Sequence, residues 1–169
     1  MTSFVVREWS ADVWPKDATT PGDANDRTDI HVPLPKTIAP GETIHVDLSF
    51  RSRLPSIVLR TGFDGSFHMV AQWFPKIAKL EPDGTFAHFP FERFSEFYAD
   101  YGDYDVTVDV PASFVVGATG ERTSSETGAG RRRDRYAASG VHDFAFTAWD
   151  GFAELDRDAG GVAIRCLYP

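Results

Sequence analysis

Apolar and polar positions alternate with a period of two over much of the chain. Residues 43–50 (T-I-H-V-D-L-S-F) and 103–110 (D-Y-D-V-T-V-D-V) switch at every step, and Pro111 closes the second run. Alternation of this kind turns one face of a strand to a core and the other to water, as in an antiparallel sheet. Weaker strand patterns cover residues 4–9, 29–34, 67–77, 114–117, 135–138, 142–149 and 161–168, separated by turn-forming clusters such as Pro21-Gly22-Asp23 and Pro40-Gly41. The pattern predicts eight or nine strands. Helical periodicity is nearly absent. Within residues 89–100, Phe91, Phe94 and Phe97 recur every third position, but Pro90 and the lack of a cap predict a loop or a short 3₁₀ piece. Residues 121–134, rich in Gly, Ser, Thr and Arg, read as a solvated hairpin loop. The expected fold is all-β: an antiparallel β-sandwich with long loops, forming a single domain over residues 1–169. The apolar strand at residues 161–168 runs to Pro169 without a polar tail, which predicts that this sequence is a piece of something longer.

Composition narrows the function classes. The chain has 169 residues, 42% of them hydrophobic and 14 of them Phe, enough to build a packed core. A net charge of −8, from 17 basic and 25 acidic residues, disfavours a protein whose task is gripping nucleic acid or an anionic membrane. With Cys166 as the single cysteine, no internal disulfide and no multi-cysteine zinc site can form. No apolar run reaches the roughly 18 residues of a membrane span, and residues 1–14 lack a signal-peptide pattern. A soluble, cytoplasmic chain is expected, with a leader or anchor outside this segment left open.

The residues that could carry chemistry are few. No two of His31, His45, His68, His88 and His142 lie three or four apart, and no H-E-x-x-H occurs. His142-Asp143 could form an oriented His–carboxylate pair or simply a turn. Asp100, Asp103, Asp105 and Asp109 cluster, yet lack the central Gly and twelfth-position Glu of a calcium loop. Asp103, Asp105 and Asp109 fall on the wet side of their strand. There is no G-x-S-x-G elbow, and Gly117-Ala118-Thr119-Gly120 lacks the lysine of a phosphate loop. In a chain this acidic, Arg131-Arg132-Arg133-Asp134-Arg135 reads as a solvated loop tip. Phe67, Trp73, Phe74, Phe86, Phe89, Phe91, Phe94, Phe97, Tyr98 and Tyr101 exceed what one small sandwich can bury, so an exposed aromatic remainder is expected.

Several strings, taken in order, resemble a known family. These are Gln72-Trp73-Phe74-Pro75-Lys76, then Glu96-Phe97-Tyr98-Ala99-Asp100-Tyr101-Gly102, then Tyr104-Asp105-Val106-Thr107-Val108 with Pro111. Val115-Val116-Gly117-Ala118-Thr119-Gly120 and Val141-His142-Asp143-Phe144-Ala145 extend the likeness, which runs from about Thr28 to Tyr168. Together they resemble the amino-terminal domain of the gluzincin zinc aminopeptidases, the family of membrane alanine aminopeptidase and leukotriene-A hydrolase. The resemblance implies a saddle-shaped antiparallel β-sandwich placed before a thermolysin-like catalytic domain. The zinc ligands, the general-base Glu and the G-x-M-E-N loop belong to that second domain, and none of them stands here. The implied chain is therefore non-catalytic by itself and binds no cofactor, while its full-length parent is a zinc metallo-aminopeptidase. Its implied partners are the catalytic domain of the same polypeptide and the amino terminus of a peptide substrate.

In that family one Gln or Glu of this domain helps hold the substrate's amino group, and Gln72 matches the position. An amide oxygen accepts a hydrogen bond from an ammonium without adding charge. An amide at a sheet edge, satisfied by water, is the alternative. Trp73 and Phe74 would wall the cleft or pack on the catalytic domain. Two other readings stay open: a stand-alone β-sandwich using exposed aromatics to bind carbohydrate, peptide or protein, and a purely structural interaction module in which Gln72 has no role.

Overall fold

The computed structural model describes residues 1–14, 16, 18–20, 28–56, 59–89 and 98–169. Phe91, Phe94, Phe97 and the Pro21-Gly22-Asp23 turn lie outside the described residues. The chain divides into two compact units, one of Met1–Ser52 with Lys76–Ala99, the other of Arg53–Pro75 with Asp100–Pro169. The described residues form 12 strands, all antiparallel, and one short 3₁₀ turn, with no α-helix among them. The all-β antiparallel class expected from the sequence is what the structure has.

In the first unit, β1 (Ser3–Val6) is the middle strand of a three-stranded sheet, flanked by β2 (Ala11–Asp12) and β3 (Val46–Ser49). The pattern predicted one strand over residues 4–9. Instead the chain leaves the sheet at Val6, and Arg7–Trp9 form the 3₁₀ turn that swings it back into β2. Buried Val6 and Val13 anchor the sheet. Side chains of the turn then fasten β3. Arg7 grips Asp47 with two nitrogens, at 2.7 and 2.5 Å, while the Glu8 carboxylate accepts the His45 amide at 3.0 Å and faces the His45 ring Nδ1 at 2.5 Å. Those bonds from His45 pull the Glu8 carboxyl down to about 2. The strand expected at residues 29–34 reduces to one bridge between Thr19 and His31.

The second unit is a sandwich. One sheet has the order β4 (Gly62–Asp64), β5 (Phe67–Val70), β10 (Phe146–Trp149), β7 (Val115–Ala118). The other has β6 (Gly102–Pro111), β9 (Arg131–Val141), β8 (Glu121–Gly128). Val108, Val116, Tyr136 and Ala148 from the two sheets form one buried cluster with Phe144, which lies just before β10. β6 follows its sequence pattern: Tyr104, Val106, Val108 and Val110 turn inward, and the intervening residues are exposed. A last hairpin, β11 (Ala153–Ala159) with β12 (Val162–Tyr168), turns at Gly160-Gly161. It is fastened to β7 by Arg165, whose Nη1 donates to the Val116 carbonyl at 3.2 Å.

The expectation of a solvated loop over residues 121–134 is overturned, because this stretch is β8 and the first part of β9. β8 is an edge strand exposed along its whole length, so it shows no apolar alternation. In β9 the inward positions 132 and 134 carry Arg and Asp, which hides the alternation there as well. The arginine block is accordingly not a loop tip. Arg131 and Arg133 pair with Asp109, at 2.6 and 2.8 Å, and Arg135 grips Asp105, one of its bonds being 2.7 Å. Arg132 turns inward onto the fully buried Asp134, its Nε at 3.0 Å. The tight turn after β8 places both Ala129 and Gly130 at positive φ, 50° and 73°. Gly120, at φ 84°, is held by close approach too, since a Cβ there would lie 2.2 Å from the Ala137 carbonyl oxygen.

Candidate functional site

Gln72 lies just past the end of β5, in the second unit. Its φ is 53°, in the left-handed region that side-chain-bearing residues seldom occupy. Such a conformation persists only when its neighbours fix it, and the fixing groups are identifiable. The Gln72 side-chain Nε2 donates to the Asp143 carboxylate across 71 positions of sequence. The next residue repeats the connection, the Trp73 indole Nε1 donating to the Phe144 carbonyl at 3.0 Å. Two consecutive residues after β5 are thus tied to two consecutive residues before β10. The other Asp143 oxygen accepts the Phe144 amide at 2.8 Å, which steadies the carboxylate.

Aromatic rings frame this pair. Trp73 packs edge-on against Phe74 and Phe146, with centroids 5.1 and 5.9 Å away, and Phe74 meets Tyr104 at 5.8 Å. Trp73 and Phe74 are half-buried against this unit's own core. Tyr101 is exposed and lies against the His142 ring, with centroids 3.9 Å apart. The Tyr104 hydroxyl is held above its ordinary range, first by burial and then by the nearby Asp143 charge. The result is a carboxylate and an amide set side by side among rings, with an accessible aromatic beside them. A carboxylate, an amide oxygen and aromatic faces are chemistry suited to a hydrogen-bond-donating cation.

No protein-family model matches the chain, and comparisons with curated proteins and with solved structures return no match.

The other residues singled out in the sequence have local surroundings of their own. His45 pairs with Glu8 and His88 with Asp29, both in the first unit. The His68 ring faces the Ser66 carbonyl at 2.8 Å and stacks on Phe63. Asp103 accepts from Ser139 and from the Gly140 amide, on the wet side expected for it. Those two bonds hold its carboxyl below the usual range. Cys166 is exposed on β12. Among the described residues no three His, Cys, Asp or Glu side chains are grouped to hold a metal ion. The His142 ring lies against Tyr101, and the Asp143 carboxylate accepts from Gln72 and from the Phe144 amide. The sequence offers no signal that would pair Gln72 with Asp143.

Proposed function

We propose that this chain is the non-catalytic amino-terminal domain of a zinc-dependent aminopeptidase, in which Gln72 helps hold the amino terminus of a peptide substrate. The observation that carries the reading is Gln72 itself, a side chain in a strained backbone conformation and tied to a carboxylate. Strain of this kind tends to gather at ligand sites. Further support comes from the ordered family-like strings around Gln72 and residues 100–108. An all-β antiparallel sandwich is the expected fold for such a domain.

The described residues do not fit a zinc site. In this reading zinc belongs to a separate catalytic domain of the same polypeptide, and this chain contributes recognition rather than bond cleavage. No helix among the described residues is long and apolar enough to cross a membrane. The reading is tested by sequencing the coding region downstream of Pro169. An H-E-x-x-H followed by a Glu a short helical hairpin further on supports it, whereas a stop codon, or a continuation without that motif, overturns it. In the longer polypeptide, Gln72→Ala should then reduce hydrolysis of an alanyl chromogenic substrate by at least about tenfold without altering the fold. Unchanged activity would remove the role given to Gln72.

A second reading is a stand-alone binding sandwich. It is favoured by exposed Phe86, Phe89 and Tyr98 in the first unit, with Phe89 and Tyr98 edge to face at 5.7 Å and the Lys79 ammonium 5.1 Å over the Tyr98 ring. Exposed aromatics of this kind suit carbohydrate, peptide or protein partners. Glycan-array binding abolished by Tyr98→Ala would support it, and an array without response would count against the carbohydrate form.

A further inference from the structure

The β11–β12 hairpin leaves one apolar face in water, and we infer that a second copy of this chain covers it, through the same face, in a weak two-fold dimer. The strand register divides the hairpin into two faces. On one, Arg165 donates to Glu154 at 2.8 Å and to the Val116 carbonyl at 3.2 Å. Leu167, on the same face, lies so close over Gly117 that a Cβ there would meet its Cδ1 at 2.7 Å. That face is seated on β7. The other carries Leu155, Val162, Ile164 and Tyr168, which are 39%, 61%, 41% and 47% exposed. An antiparallel ribbon with one wet face ordinarily does the reverse, turning its apolar side to the core.

Shape and charge both point to a second copy. Three of the four cross-strand pairs on this face join a large residue to a small one: Tyr168 with Ala153, Leu155 with Cys166, and Val162 with Ala159. A two-fold axis running along the ribbon, midway between two such faces, lays β11 of each copy over β12 of the other. Every large residue of those pairs then stands over the small residue of the facing pair, the interdigitation that packed sheets require. The fourth pair, Arg157 with Ile164, holds the only charge on the face. Arg157 is on β11, at the edge of a two-stranded ribbon, so its stem can cover apolar surface while its guanidinium stays in water. Glu154, Asp156 and Asp158 all lie on the opposite face. In a chain of net charge −8, this face therefore brings two copies together with no carboxylate between them. The apolar surface it exposes is on the order of 400–500 Å². Two such faces remove about 800–1,000 Å² from water, less than the 1,200 Å² or so of durable dimers, so the association is reversible.

Sedimentation equilibrium of the 169-residue chain, from about 5 μM to 1 mM, tests this. The wild type should show a monomer–dimer equilibrium within that range. Ile164→Lys and Val162→Asp each place a charge on the face, and each should weaken dimerisation by about tenfold or more. Both positions are exposed in the monomer, so the variants should keep the wild-type Tm, which separates lost docking from lost folding. Ile77→Lys, at an exposed apolar position of the first unit, should leave the equilibrium unchanged. A short bismaleimide should join two wild-type copies through the exposed Cys166, and Ile164→Lys should suppress that crosslink. A chain that stays monomeric at every concentration leaves the face to a different partner and overturns the inference. A dimer that both face variants retain, or that Ile77→Lys alone dissolves, overturns it as well.

Discussion

The Tyr136 hydroxyl on β9 donates to the Val116 carbonyl on β7 at 3.1 Å, a bond that crosses between the two sheets of the second unit. Arg165 on β12 reaches the same carbonyl at 3.2 Å. One buried acceptor therefore joins both sheets and the last hairpin. Removing one donor leaves the carbonyl satisfied; removing both strands it in the core. Tyr136→Phe should cost about 0.5–1.5 kcal/mol, and Arg165→Met a similar amount. The double variant should lose more than the sum, because only then is the acceptor orphaned. Urea unfolding of the four proteins measures this, and strict additivity would contradict it.

Asp134 has no solvent exposure, and Arg132 Nε stands 3.0 Å from it while Arg122 is 3.8 Å away. Asp134→Ala should destabilise the fold by about 3–5 kcal/mol, because it leaves the Arg132 charge uncompensated beneath the sheet. Replacing Asp134 and Arg132 together by Leu and Met should cost far less, since no lone charge stays inside. Comparing the two unfolding midpoints decides the matter.

Ala129 carries a left-handed φ of 50° ahead of Gly130 at 73°, the geometry of a two-residue hairpin turn that favours Asn-Gly. Ala129→Asn should raise stability by about 0.5–1 kcal/mol, by relieving a conformation that Ala tolerates poorly. An upward shift of a few degrees in Tm is the expected reading.

Glu8, lowered from 4.5 to about 2 by its bonds to His45, holds its proton less tightly when folded than when unfolded. Its contribution to stability is present above pH 4.5 and is lost as pH falls toward about 2. Other carboxylates titrate in the same range, so the Glu8 share is isolated by Glu8→Gln. The wild type should lose stability more steeply than this variant between those limits. Parallel urea midpoints across the window would exclude the Glu8 contribution.

The sequence made β6 legible because every inward position, from Tyr104 through Val110, is apolar or aromatic. It hid β9 because Arg132 and Asp134 occupy inward positions and neutralise one another there. β8 and β11 are exposed at every residue, so neither had a buried face to write into the pattern. The Gly160-Gly161 pair was a usable turn signal, since two glycines at positive φ close the β11–β12 hairpin. At the candidate site, the strings around Gln72 and His142-Asp143 drew attention separately. Their connection depends on how β5 and β10 pair, which no local pattern encodes.

That pairing of β5 with β10 has a consequence in time. The Thr147 hydroxyl donates to the His68 carbonyl across 79 positions of sequence, within a central ladder of the four-stranded sheet. On a ribosome adding roughly 5–20 residues per second, β5 emerges on the order of 4–16 s before its partner exists. Throughout that interval the β4–β5 hairpin shows an unpaired edge carrying Phe67, Met69 and Val70. The nascent chain is most exposed to mispairing there, and a chaperone that shields residues 62–70 during synthesis should raise the folded yield more than one acting after release.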